Sequence, residues 1–76
     1  MSVTPNKIFL KQLGDKIKKR RDVLGITQSE LAKRCDRDRQ NINRIEKGNV
    51  NLSIGYLKII AENLEMKLSE LLENLE

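Results

Sequence analysis

Residues 27–48 read TQSELAKRCDRDRQNINRIEKG, and this stretch decides how the chain folds. Thr27 followed three residues later by Glu30 is a capping box. The hydroxyl accepts from a free backbone N–H while the carboxylate reaches back to the N–H of Thr27. The pairing predicts a short helix from Gln28, with Leu31, Ala32 and Cys35 as its narrow apolar side. Leu and Ala propagate a helix well, and Asp36 at its end does not. Asp38 then offers a second N-cap, and Ile42 and Ile45 give a second short helix its inward side. Two helices of two or three turns, joined by about three polar residues, read as a helix-turn-helix.

Sorting the second helix at about 100° per residue separates its faces. Ile42, Ile45 and Glu46 share one side, and Gln40, Asn43, Arg44 and Lys47 fall on the other, with Arg39 on the flank near the N-terminus. Such a face can serve solvation alone. Arg, Gln and Asn are also the side chains that bond guanine and adenine edges in two-pronged fashion.

The charge distribution favours the second use. Residues 1–48 hold 13 Lys or Arg against 6 Asp or Glu, a net of +7, whereas residues 49–76 hold 2 against 5, a net of −3. A basic front with an acidic back suits a phosphate-facing domain, because neutralised phosphates release counterions. Solubility alone would not require the segregation.

Seventy-six residues make one small domain, 1–76, with residues 1–5 expected to be flexible. A chain of this size buries only about 60% of the surface it exposes unfolded, so it folds alone by good packing or leans on a partner subunit. Phe9 and Tyr56 are its only aromatics, which leaves the core to Leu and Ile. A lone cysteine, Cys35, excludes an intramolecular disulfide, and without histidine a zinc site is not expected. No apolar run approaches the ~18 residues of a membrane span, and Met1-Ser2-Val3-Thr4 is not a signal peptide. The expected location is the cytoplasm, at the nucleoid.

Gln28-x-x-Leu31-Ala32 followed by Ile42-x-x-Ile45-Glu46-x-Gly48 resembles the lambda-repressor/Cro (Xre) family of helix-turn-helix DNA-binding domains. The resemblance continues upstream in Leu13-Gly14-x-x-Ile17 and Arg21-x-x-x-Gly25-Ile26-Thr27-Gln28. Downstream it runs through Asn51-x-Ser53-Ile54-x-x-Leu57, Ile60-Ala61-x-x-Leu64 and Leu68-x-x-Leu71. It covers residues 13–72, and the small stand-alone controller proteins of restriction–modification systems are similar chains of this kind. The implied fold is all-α, a five-helix bundle.

Working outward, Thr4-Pro5 looks like a helix start, with Thr as cap and Pro at the first helical position. Ile8, Leu10, Leu13, Ile17 and Leu24 supply an apolar stripe behind it. Gly14 interrupts that helix at a cost of about 1 kcal/mol relative to Ala. Either it lets another backbone come close, or it marks the true start of the family's first helix, with residues 4–12 as an added arm or turn. Lys16, Lys18, Lys19 and Arg20 lie mostly on the solvent side, where each singly is better read as solvation than as a phosphate contact.

Arg21 falls inside the stripe and needs a partner there. Glu46 leans inward on its own helix, so a bridge between Arg21 and Glu46 would pin the two helices together, and the resemblance implies the same pairing. Cys35 reads as core packing, because no histidine is present to activate it. Ser53 caps a fourth helix that buries Ile54, Leu57, Ile60, Ala61 and Leu64, although Gly55 weakens its first turn. A last short helix carries Leu68, Leu71, Leu72 and Leu75, part for the core and part for another subunit.

No catalytic constellation or cofactor loop is visible, and an enzyme is not expected. The leading expectation is a sequence-specific, double-stranded-DNA-binding transcriptional regulator, acting as a homodimer on a pseudo-palindromic operator. By the resemblance, Arg39, Gln40, Asn43 and Arg44 contact bases, while Gln28, Lys47, Asn49 and Asn51 contact phosphates. Leu68, Leu72 and Leu75 are the expected dimer contact. Asp38 departs from the family's usual Ser or Thr, and capping is the role that suits a carboxylate so near DNA. Two alternatives remain at this point: an antitoxin that binds both a toxin and its own operator, or a protein-interaction module that has lost DNA contact.

Overall fold

The computed structural model describes residues 6–75, in the order α1 (Asn6–Leu24), α2 (Gln28–Arg34), α3 (Arg39–Glu46), α4 (Ile54–Asn63) and α5 (Leu68–Leu72). Among the described residues there is no strand. The expected all-α, five-helix architecture is what forms. Thr4, Pro5 and the other residues expected to be flexible lie outside the described residues.

Local chemistry starts the helices where expected. Thr27 Oγ1 accepts from the Glu30 N–H (3.0 Å) and Glu30 Oε1 accepts from the Thr27 N–H (2.9 Å), which completes the capping box. Asp38 accepts from the Asn41 N–H (2.8 Å) and Ser53 from the Tyr56 N–H (3.1 Å). Asp38 is therefore spent as a cap. Each cap satisfies an N–H that has no partner within its helix.

The same closing turn ends α1 to α4. In α2, the Arg37 N–H reaches back to Ala32 O (2.8 Å) and that of Asp36 to Lys33 O, and in α4, Met66 and Glu65 repeat the pattern onto Ala61 and Glu62. This turn holds one residue at positive φ. Gly25 and Gly48 fill that place after α1 and α3, whereas Asp36 (φ 58°) and Glu65 (φ 59°) fill it after α2 and α4. Glu65 is exposed and is held through its backbone, its N–H donating to the Glu62 carbonyl and its own carbonyl accepting from Arg20. Glu65→Gly should accordingly stabilise the fold by about 0.5–1 kcal/mol, a rise of a few degrees in Tm. An unchanged or lower melting temperature would show that the left-handed residue carries no strain.

The core is aliphatic, as the composition demands. Leu13, Ile17, Leu31, Ile42, Ile60, Leu64 and Leu71 are fully buried, with Ile26, Ala32, Cys35, Ile45, Leu57 and Ala61 around them. Helix α1 packs on α3 and α5, α2 on α3 and α4, and α4 on α5. Three members of the expected apolar faces, Ile8, Leu10 and Ile54, do not join it, and in the first turn of α1 it is Phe9 that packs on the core. Ile8 (60% exposed) and Ile54 (63% exposed) face solvent in the first turns of α1 and α4, while Phe9 and Tyr56 in those same turns are partly buried against the core. Leu68, Leu72 and Leu75 are partly buried against the core.

Gly14 has a clear reason. A Cβ there would lie 2.5 Å from the carbonyl oxygens of both Ile45 and Glu46, so α1 and the end of α3 meet backbone to backbone. The close approach is the role, and α1 runs unbroken through Gly14 from Asn6. Lys16 and Arg20 differ from the expectation of plain solvation. The Lys16 ammonium donates to the carbonyls of Glu70 and Glu73 at the end of α5, and Arg20 donates to those of Leu64 (2.8 Å) and Glu65 (3.2 Å) at the end of α4. Cations suit these positions because the last carbonyls of a helix lack N–H partners and carry partial negative charge.

Candidate nucleic-acid interface

Helix α3 buries Ile42, Ile45 and Glu46 and exposes Arg39, Gln40, Arg44 and Lys47, with Asn43 half-buried. Its outward face is thus polar and basic along its length. The loop that follows keeps Asn49 and Asn51 exposed. All eight residues expected to touch DNA, Gln28 included, are partly or fully exposed.

Beneath that face sits the Arg21–Glu46 pair. Arg21 Nε donates to Glu46 Oε2 (2.8 Å) and Nη2 to Oε1 (3.1 Å), a two-pronged bond between side chains that are 10% and 4% exposed. Arg21 Nη1 also donates to the Ile26 carbonyl (3.0 Å), which ties in the turn between α1 and α2. The hydrogen bond to Glu46 outweighs burial and raises the pKa of the guanidinium above its usual value. Low local dielectric strengthens such a bond and raises the cost of losing either half. No buried polar side-chain atom among the described residues lacks a partner.

Gln28 extends this pair to the surface. Its Nε2 donates to Glu46 Oε1 (2.9 Å) and Asn43 Oδ1 (3.3 Å), and its Oε1 accepts from Arg39 Nη1 (3.3 Å). A chain of hydrogen bonds therefore runs from Arg21 through Glu46 and Gln28 to Asn43 and Arg39. The family resemblance implies a phosphate contact for this side chain. Because α3 crosses under the start of α2, the amide bonds protein groups as well. An open cleft lined by Arg21, Gly25, Thr27, Gln28, Ser29 and Arg39 lies above the chain.

A second polar link escaped the sequence. Tyr56 on α4 donates from its hydroxyl to Asn41 Oδ1 (2.6 Å), and the Arg37 guanidinium lies over its ring, 4.6 Å from the centroid. A tyrosine on a helix with partly apolar flanks carries no sign of which helix its hydroxyl will reach. Burial pushes the Tyr56 phenol up, and it pushes the Cys35 thiol up as well, against the opposing charge of Arg37. Cys35 is buried and reduced, with Asn63 Nδ2 at 3.9 Å from its sulfur, in keeping with a packing role. Among the described residues no group of His, Cys, Asp or Glu is placed to hold a metal ion, and no helix is long and apolar enough to cross a membrane.

A capped two-helix unit with a basic outward face, clamped to a five-helix core, is the architecture of the helix-turn-helix DNA-binding domains of transcription regulators. The profile of the helix-turn-helix (HTH_3) family matches residues 17–71, and the chain belongs to that family. No curated protein matches it at a significant level. Among solved structures it is similar to the wild-type restriction-modification controller protein C.Esp1396I, at 36% identity over 84% of this chain and 86% of that one, with a TM-score of 0.75. It is also similar to the controller protein C.AhdI from Aeromonas hydrophila, at 27% identity over 82% and 94% of the two chains, with a TM-score of 0.78. The clp gene regulator ClgR from Corynebacterium glutamicum shares the fold, with a TM-score of 0.83 at 22% identity over 90% of this chain and 72% of that one.

Proposed function

We propose that the protein is a homodimeric, sequence-specific transcriptional regulator that binds a pseudo-palindromic operator with α3 in the major groove. The observation that carries this reading is the outward face of α3, exposed along Arg39, Gln40, Arg44 and Lys47 while its inner side is clamped through Glu46. A rigid helix with Arg, Gln and Asn outward presents base-reading groups at fixed positions. Arg39, Gln40, Asn43 and Arg44 meet base edges. Lys47, Asn49 and Asn51 meet phosphates, and Gln28 stands between the two sets, at the backbone and under Arg39. The likeness to two restriction-modification controller proteins supports a regulator of that kind. DNA binding places it in the cytoplasm, at the nucleoid.

One recognition helix covers only a few base pairs, which discriminates poorly among the competing sites of a genome. Two copies related by a two-fold axis place their α3 helices about 34 Å apart, one turn of the duplex. The remaining exposed surface of Leu68, Leu72 and Leu75 forms the contact between copies, with Ile54 and Ile59 on the adjoining α4 available to extend it. Selection of bound fragments from random duplexes should return a sequence with inverted half-sites. Sedimentation of the protein on that duplex should give two protomers per site at saturation. One protomer per site would refute the dimer, and selection of no preferred sequence would refute the operator.

A further inference from the structure

The first turns of α1 lie upstream of the residues matched by the family profile, yet they are built onto the recognition unit. Gly48, at φ 80° after α3, is pressed by the backbone of α1: a Cβ there would lie 2.8 Å from Lys11 Cα and N. Lys7, one turn earlier, is exposed and places its Nζ 3.1 Å from Asn49 Oδ1, in the loop that follows α3. Leu10, Gly48, Val50 and Asn51 complete a shallow groove between the two segments. The charge there has one sign. Residues 6–14 and 47–51 contain Lys7, Lys11 and Lys47 and no carboxylate, and Asp15 is paired with Lys11.

From this we infer that Lys7 is a further DNA-backbone contact, taking a phosphate at the C-terminal end of α3 together with Asn49. The inference rests on the DNA-binding reading above. Asn49 and Asn51 border the duplex in that reading, and a lysine about 3 Å from Asn49 has the reach for the same phosphate. Exposed lysine is a compact cation with rotatable donors, suited to a phosphate oxygen and blind to base sequence. The abutment of α1 on Gly48 fixes the base of the side chain relative to α3, so its reach to the backbone is set by the fold.

Titration of the purified full chain against its selected duplex and a scrambled one, at several salt concentrations, tests this. Each phosphate neutralised contributes about 0.9 to the slope of log K against log salt, which amounts to about fivefold in affinity at 0.15 M salt per protomer. Lys7→Ala should flatten the slope by about 0.9 per protomer and weaken both duplexes by the same factor. Lys7→Gln, which keeps a donor for Asn49 without the charge, should behave like Lys7→Ala, and Lys7→Arg should restore the slope. If Lys7→Ala leaves the slope of a DNA-binding wild type unchanged, or if Lys7→Gln restores it, Lys7 acts at most by holding Asn49 and the contact is refuted. If the wild type binds neither duplex, the DNA-binding reading falls and this inference with it.

Discussion

Glu46→Ala is expected to unfold most of the protein or leave it loosely packed at 25 °C. The carboxylate accepts from Arg21 Nε and Nη2 and from Gln28 Nε2, and it is almost entirely buried. Removing one partner of a buried pair strands the other charge, at a cost of about 3–5 kcal/mol. A domain of this size is stable by only roughly 4–11 kcal/mol, so the loss takes a large share of the total. Arg21 keeps the Ile26 carbonyl and a more distant, half-exposed Asp22 at 3.6 Å, too little to replace a two-pronged buried bond. Arg21→Met combined with Glu46→Leu removes both charges and fills their space with apolar atoms, which is often near neutral. The double variant should therefore melt well above Glu46→Ala in urea or on heating. Equal losses in the single and double variants would show that the pair is not coupled.

That pair was legible because it breaks a pattern. Arg21 sits at apolar spacing in α1, Glu46 at apolar spacing in α3, and a charge on an inward face needs an opposite one. The caps were legible for a different reason: Thr27 with Glu30, Asp38 and Ser53 act within three residues, so sequence distance and spatial distance agree. Lys16 and Arg20 carry no such mark. Their partners are carbonyls 44 to 57 residues away, and any residue supplies a carbonyl, so only the docking of α1 beside the ends of α4 and α5 decides the contact.

Gln28 shows where face-sorting runs out. Its position on α2 indicates that it points away from the core of its own helix, and the fold agrees, since it is half-exposed. What helical periodicity does not carry is the crossing of α3 beneath the start of α2, which brings Glu46, Asn43 and Arg39 within reach of one amide. Ile8 and Ile54 are the converse. Both continue an apolar stripe in sequence, but each faces solvent in the first turn of its helix, where Phe9 and Tyr56 are the side chains that pack on the core. Periodicity assigns a face and leaves open which side chains of the first turn are covered.

The hydrogen-bond chain through Gln28 leads to the second large effect, on recognition. Arg44→Ala should remove one base contact from each half-site. A lost bidentate pair costs about 1–3 kcal/mol, so two half-sites together lose about 2–6 kcal/mol on the cognate duplex and far less on scrambled DNA. Arg39→Ala should act in the same sense, at a different base pair. Gln28→Ala is expected to weaken cognate and scrambled duplexes alike through its phosphate contact, and in addition to loosen Arg39, whose guanidinium it holds at 3.3 Å. The combination separates these effects. Arg39→Ala should cost less in a Gln28→Ala background than in the wild type, with a coupling of about 0.5–3 kcal/mol, because residues in one network are not additive. Arg44→Ala should cost the same in both backgrounds, since Arg44 lies on the exposed face and takes no part in the Gln28 bonds. Titrations at one fixed salt concentration decide the matter. If Arg39→Ala and Arg44→Ala weaken both duplexes equally, they grip phosphate and do not read bases. If Arg39 and Gln28 prove additive, the bond between them does not position the reading head.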